Sequence, residues 1–131
     1  MKVDALDHLV LTVACIEATC RFYTRVLGME VAPFGDGRRA LHFGRQKINL
    51  HQSGNEFEPK AQRPTTGSAD LCLLTGETPG EIVRHLQAQN VPVVEGPVPR
   101  TGAQGPMTSF YVGDPDGNLI EIATYVPSQR A

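Results

Sequence analysis

With 131 residues, 40% hydrophobic and 20% charged, the chain has an ordinary globular composition and room for one substantial core, not two independent ones. A formal net charge of −2 and the lack of any long basic run recommend neither nucleic acid nor an anionic membrane as partner. No apolar stretch approaches the roughly 18 residues of a membrane helix, and "MKVDALDHLVLTV" is interrupted by two Asp residues with no small-residue cleavage site after it, so a cytoplasmic chain is expected. Cys15, Cys20 and Cys72 form no CxxC pair and leave one thiol over, which fits reduced cysteines acting as small packing residues.

"LDHLVLTV" (6–13) reads as a strand, with Leu9, Leu11 and Val13 on one face and His8, Val10 and Thr12 on the other. "IEATCRFYTRVLG" follows with Ile16, Thr19, Phe22, Tyr23, Val26 and Leu27 at helical spacing, and Gly28 is placed to cap the end. "MEVAPF", the turn "GDG" (35–37), "RRALHFG" and "QKINLHQ" then predict a hairpin and a further strand. Residues 53–68, rich in Gly and Pro, read as a linker.

The second half repeats this order. "ADLCLLT" is a strand, and "TPGEIVRHLQAQN" is a helix opened by Thr78 as N-cap, Pro79 at the first position and Glu81 completing a capping box. "VPVVEGPV" is a strand whose Pro92 suggests an edge or irregular start, "PRTGAQGP" (99–106) a flexible loop, and "MTSFYVG" and "NLIEIATY" the closing strands across an Asp-Pro-Asp-Gly turn. The fold class is therefore α+β: two β-α-β-β-β modules, about 3–52 and about 69–126, joined by the linker into a single domain over 1–131. Sequence identity between the halves is low, so the repeat rests on element order.

Glu121 breaks an otherwise apolar strand. A charge buried without a partner costs several kcal/mol, roughly, even after relaxation, so Glu121 either faces water or has a partner. Alternation puts Ile120 and Ile122 on one face and Leu119, Glu121 and Ala123 on the other.

"DHLVLTV" (7–13), "FYTRVLGMEV" (22–31) and "DPDGNLIEI" (114–122), with the paired-module order, resemble the vicinal oxygen chelate superfamily of glyoxalases, bleomycin-resistance proteins, fosfomycin-resistance proteins and extradiol dioxygenases. The segments "KINLHQ", "GSADLCL" and "GPVPRTGAQGPM" are similar to small glyoxalase-domain proteins described mainly by their fold. The resemblance implies two curled mixed sheets forming a cup with helices outside, and a divalent metal held by the first and last strands of each module. It puts ligands at His8 and Glu121. The corresponding position on the last strand of module one is Asn49, a poor ligand for a transition metal; His51, two residues on and on the same strand face, can supply the missing imidazole. Where the family often has a His at the start of module two, this chain has Asp70.

The expected metal set is thus His8, His51 and Glu121, holding Zn, Ni, Mn or Fe, with Asn49 and Asp70 as outer or substrate-contacting groups. A structural, hydrogen-bonded role for each histidine is the alternative. Glu121 would ligate or act as base. Arg100, in the loop, could reach an anionic substrate group, or simply be solvated; Arg38 and Arg39 are weaker versions of the same idea. His42 could border the cup, and His85 reads as solvent-facing. The resulting expectation is a glyoxalase-like, metal-dependent enzyme of lyase, isomerase or dioxygenase type, acting on a small oxygen-chelating molecule as a homodimer. The alternative is a metal-free protein that binds an antibiotic or metabolite; the lack of Trp and the 6% aromatic content weaken a bleomycin-type version.

Overall fold

The computed structural model describes residues 1–128, which form two compact units, Met1–Ser68 and the chain from Ala69 onward. In unit 1, β1 (His8–Val13), α1 (Ile16–Arg25), β2 (Glu30–Phe34), β3 (Arg38–Phe43) and β4 (Gln46–Gln52) build a four-stranded mixed sheet in the order β1-β4-β3-β2. Unit 2 repeats it with β5 (Asp70–Leu74), α2 (Pro79–Ala88), β6 (Glu95–Gly102), β7 (Gly105–Gly113) and β8 (Leu119–Tyr125), ordered β5-β8-β7-β6. In each unit the first and last strands pair in parallel and the remaining pairs are antiparallel. The α+β class and the β-α-β-β-β order expected from the sequence are both present.

Unit 1 buries the side of its sheet that carries Leu11, Val13, Leu41, Ile48 and Leu50, each 4% exposed or less. Thr19, Cys20, Phe22 and Tyr23 are the buried residues of α1, which lies against β2, β3 and β4. The Phe22 and Tyr23 rings meet edge to face at 5.3 Å. Unit 2 has the same logic, with Phe110, Val112, Ile120 and Ile122 on one sheet side and Ile82 and Leu86 as the buried residues of α2. Thr78 caps α2 as expected: its Oγ1 accepts from the Glu81 amide at 3.2 Å, and Glu81 Oε1 accepts from the Thr78 amide at 3.1 Å. In α1 the cap is Cys15, whose sulfur accepts from the Ala18 amide at 3.5 Å, so this thiol does more than pack.

Two expectations are corrected. The stretch 99–106 is no flexible loop: β6 runs to Gly102 and β7 starts at Gly105, leaving only Ala103 and Gln104 between them. Alternating Pro and Gly obscured a strand whose partner, β7, supplies the ladder from the other side. Conversely, the strand expected from residue 91 begins only at Glu95: Pro92, without an N–H, stands outside the ladder, and the register then shifts between Glu95 and Val98.

The Asp-Pro-Asp-Gly turn fixes where β8 starts. Asp114 Oδ1 accepts from the amides of Asp116 and Asn118, each at 2.9 Å, and Asp114 Oδ2 accepts from Asn118 Nδ2 at 2.8 Å. Asn118 Oδ1 in turn accepts from the Ala69 amide at 2.9 Å, tying the entry of β5 to the entry of β8. Both side chains are buried, so this knot sets the register that places Glu121 opposite Cys72.

Candidate functional site

The open side of the unit 2 sheet gathers the residues that alternation sets opposite the core: Asp70, Cys72 and Leu74 on β5, Glu121, Ala123 and Tyr125 on β8, Met107, Ser109 and Tyr111 on β7, and Arg100 on β6. Glu121 lies directly across from Cys72 on one side and Tyr111 on the other. Ser109, its diagonal neighbour, donates its hydroxyl to Glu121 Oε2 at 2.6 Å. So the carboxylate in the apolar strand has a partner. It points away from the core and accepts a short hydrogen bond from a buried serine.

This side forms a cavity of about 380 Å³, lined by Cys72, Leu74, Arg100, Met107, Glu121 and Tyr125 together with the β6–β7 turn. Burial and then the neighbouring Glu121 charge push the Cys72 thiol up to about 11, so it stays protonated at neutral pH and can share its hydrogen with that carboxylate. Arg100 is held rather than swinging. Its Nε donates to the Tyr111 hydroxyl at 2.9 Å and its Nη1 to the Pro99 carbonyl at 2.9 Å, with Glu95 at 3.6 Å from Nη2. The hydrogen bond to Tyr111 is the main cause that raises the Arg100 pKa. Tyr125 accepts from the Gln104 amide at 3.1 Å, which leaves its own hydroxyl hydrogen to be donated. Asp70, at the exposed start of β5, shares this side two residues before Cys72.

The open side of the unit 1 sheet holds the other candidates. His8 is exposed at the start of β1, with Nδ1 2.8 Å from the Asp7 carboxylate, which leaves Nε2 free. His51 is buried, 7% exposed, with its ring edge-on to Phe57 at 5.7 Å. Burial, and then the Arg38 charge, hold its pKa below the usual histidine value, so the ring is neutral near pH 7. Register puts His8 beside Lys47 and His51 beside Thr12. The two histidines therefore share a face but stand four rungs apart, roughly 13 Å along the ladder. Asn49 lies between them, opposite Val10 and Ala40, and its Oδ1 is buried without a hydrogen-bond partner. His42 and Ala40 share this side, and His85 is exposed on α2.

A divalent cation would need donors that converge. Among the described residues no group of three or more His, Cys, Asp or Glu side chains is gathered to hold a metal. Unit 1 by itself separates its two histidines, and unit 2 by itself offers Glu121 with a protonated thiol beside it. Neither unit alone fits the ion. Sequence reasoning missed Ser109, Tyr111 and Tyr125, and it read Cys72 as packing. Alternation along β7 could have put Ser109 and Tyr111 on one face, but only the register reveals that this is the face of Glu121.

Residues 5–122 match the family model described as Glyoxalase/Bleomycin resistance protein/Dioxygenase superfamily. The chain is 56% identical over 126 residues to the virulence protein STM3117 of Salmonella typhimurium, covering 96% of this chain and 88% of that protein. The crystal structure of STM3117 superposes with a TM-score of 0.94, over 96% of this chain and all (100%) of that one. The glyoxalase domain-containing protein RDO1 of Mycosarcoma maydis is 56% identical over 125 residues, 95% of this chain and 70% of its own length. The integron cassette protein VCH_CASS1, from the mobile metagenome of V. cholerae, is 61% identical with a TM-score of 0.94, over 96% and 98% of the two chains. Repeated β-α-β-β-β units, the Asp-Pro-Asp-Gly entry to β8 and these matches agree: the chain belongs to the Glyoxalase/Bleomycin resistance protein/Dioxygenase superfamily.

Proposed function

We propose that the chain is a glyoxalase-like enzyme that acts on a small oxygen-rich molecule bound in the unit 2 cavity, with Glu121 as its acting carboxylate. The observation that carries this is the Ser109–Glu121 hydrogen bond at 2.6 Å on the cavity wall. A carboxylate fixed by one oxygen keeps the other to take a proton from a substrate carbon or hydroxyl. The Arg100 guanidinium and the Tyr125 hydroxyl supply positive charge and a donor for the oxygen on which negative charge develops. Arg100 thus serves as a substrate-binding residue from β6, and Asp70 as a polar group at the end of the same sheet face.

Zn, Ni, Mn or Fe is the cation proposed from the family, with His8, His51 and Glu121 as separate candidate donors: His8 and His51, four rungs apart, do not hold one ion together. A homodimer is the proposed working form, supported by exposed apolar residues on the open sheet sides, Val10 at 45% and Leu74 at 58%. Three free cysteines support a reducing compartment, and hence a cytoplasmic location. The competing reading is metal-free binding of an antibiotic or metabolite, for which the mixed lining of the cavity, Leu74 and Met107 beside Arg100 and Tyr125, is also suited.

Elemental mass spectrometry on protein purified without chelator, and after reconstitution with each of the four metals, decides between them. About one metal per chain, lost in both Glu121→Ala and His8→Ala while they remain folded, supports the enzyme. No metal in any preparation sinks the metal-dependent reading and leaves the binding protein.

A further inference from the structure

The open side of the unit 1 sheet carries a cluster that this reading does not use. Arg38 and Lys47 approach the same ring from different strands: the Lys47 Nζ stands 4.1 Å and the Arg38 Cζ 5.9 Å from the centroid of Phe34. Arg38 also lies over Phe57, its Cζ 4.3 Å from that centroid. Both cations come from the side of the sheet that holds Asn49, because Lys47 and Asn49 alternate on β4 and Asn49 pairs with Ala40, two residues from Arg38.

Neither cation makes an ion pair with an acidic side chain among the described residues. Glu56, the linker acid beside His51, is engaged elsewhere: its Oε2 accepts from the Gly54 amide at 2.8 Å, and Lys60 stands 3.9 Å from its Oε1. Glu30, on the edge strand, shares a row with His42 and Lys47 but pairs with neither. Two like charges flanking one aromatic ring repel each other, and stacking on ring faces offsets that only in part. A guanidinium held by ring faces spends none of its fork of N–H donors on a carboxylate.

The second observation is independent of charge. Asn49 is 9% exposed, and its Oδ1 is buried without a partner on this same side. An amide oxygen left unpaired in a buried place is destabilising, so such an atom marks a position that a donor fills.

We propose that this face of unit 1 is an oxyanion subsite, where Arg38 and Lys47 take the carboxylate or phosphate of a small ligand and Asn49 accepts from a hydroxyl or N–H that the ligand carries. Phe34 and Phe57 hold the two cations in place before the ligand arrives. The subsite uses residues of unit 1 alone and does not depend on the role given to Glu121.

The test is titration of the full chain with inorganic phosphate and, separately, with glycolate at constant ionic strength, followed by amide chemical shifts and by calorimetry. Saturable binding of either anion is expected, with shifts centred on residues 38, 47 and 49. Arg38→Gln and Lys47→Gln should each weaken it about tenfold, while Arg45→Gln, on the exposed turn between β3 and β4, leaves it unchanged. Preference for phosphate identifies a phospho-ligand, and preference for glycolate a hydroxy acid. Linear, unsaturable shifts with both anions, or equal weakening by Arg45→Gln, overturn the proposal. Glu121→Gln serves as the separating control: it abolishes the chemistry proposed for unit 2 but leaves anion binding intact.

Discussion

Glu121 and Cys72 sit opposite each other on the parallel pair β5–β8, and each conditions the other: the carboxylate raises the thiol's pKa, and the thiol offers the carboxylate a hydrogen. Burial is the larger cause of the raised value of about 11, so removing the charge should bring it down only part of the way. In a Cys15→Ser background, Glu121→Gln is expected to speed alkylation of Cys72 in mildly alkaline buffer, because more thiolate is then present at a given pH. The rate-versus-pH curve for labelling Cys72 checks this; an unchanged midpoint would mean that the two side chains do not communicate.

Two glycines near this site should answer differently to the same methyl group. A Cβ at Gly96 would lie 2.7 Å from the Ser109 carbonyl oxygen and 2.8 Å from the Phe110 Cα, at a φ of +137°. Backbone cannot step aside, so Gly96→Ala is expected to cost roughly 3 kcal/mol or more. At Gly102 the neighbours are the Met107 sulfur at 2.6 Å and the Tyr125 hydroxyl at 2.8 Å, both side-chain ends. Gly102→Ala should cost about 1–3 kcal/mol and release the Gln104 amide to faster hydrogen exchange as Tyr125 is pushed away. Denaturant midpoints together with exchange at Gln104 read both effects.

The knot at the start of β8 is expected to matter more than any single cap. Asn118→Ala removes its side-chain bonds to Asp114 Oδ2 and to the part-buried Ala69 amide at once, a loss of about 1–3 kcal/mol. Thr78→Ala removes the capping box of α2 at an exposed helix start and should cost about 1 kcal/mol. Urea unfolding of the two variants ranks them; an equal loss would mean that water replaces Asn118.

His51 predicts an acid limb to stability. Its folded pKa lies below the unfolded value near 6.5, so the unfolded chain binds the proton more readily. The stability linked to this neutral ring is full above about pH 6.5 and declines as the pH falls from there through the folded value. Between about pH 7.5 and about pH 5.5 the native chain should lose more of its urea midpoint than His51→Gln does. Parallel losses would show that the imidazole does not titrate with folding.

Element order was readable because it depends on local signals: the helical spacing of Ile16 to Leu27, the Thr78-Pro79-Glu81 start and the turn at 114–117 each act within a few residues. The strand hidden at 99–106 was not, since Pro and Gly argue for a loop until a partner strand is known. Glu121 could be singled out because a charge in an apolar strand demands a cause. Its actual partner, Ser109, lies twelve residues back and is brought near by register, which no local pattern encodes. The same holds for Phe57, read as linker, whose ring packs on His51 and under Arg38.

The place of β8 between β5 and β7 has a consequence for synthesis on the ribosome. Unit 1 has all its strands once Gln52 has emerged, so its sheet can close while the rest of the chain is still being made. Unit 2 lacks its central seam until Leu119–Tyr125 appears, and until then β5 and β7 have no strand to join them. Unit 1 passes through the same state while β1 and β3 wait for β4; in unit 2 the bare strand edges lie beside Leu71, Leu73 and Phe110 until β8 emerges, an interval in which chaperone cover would matter.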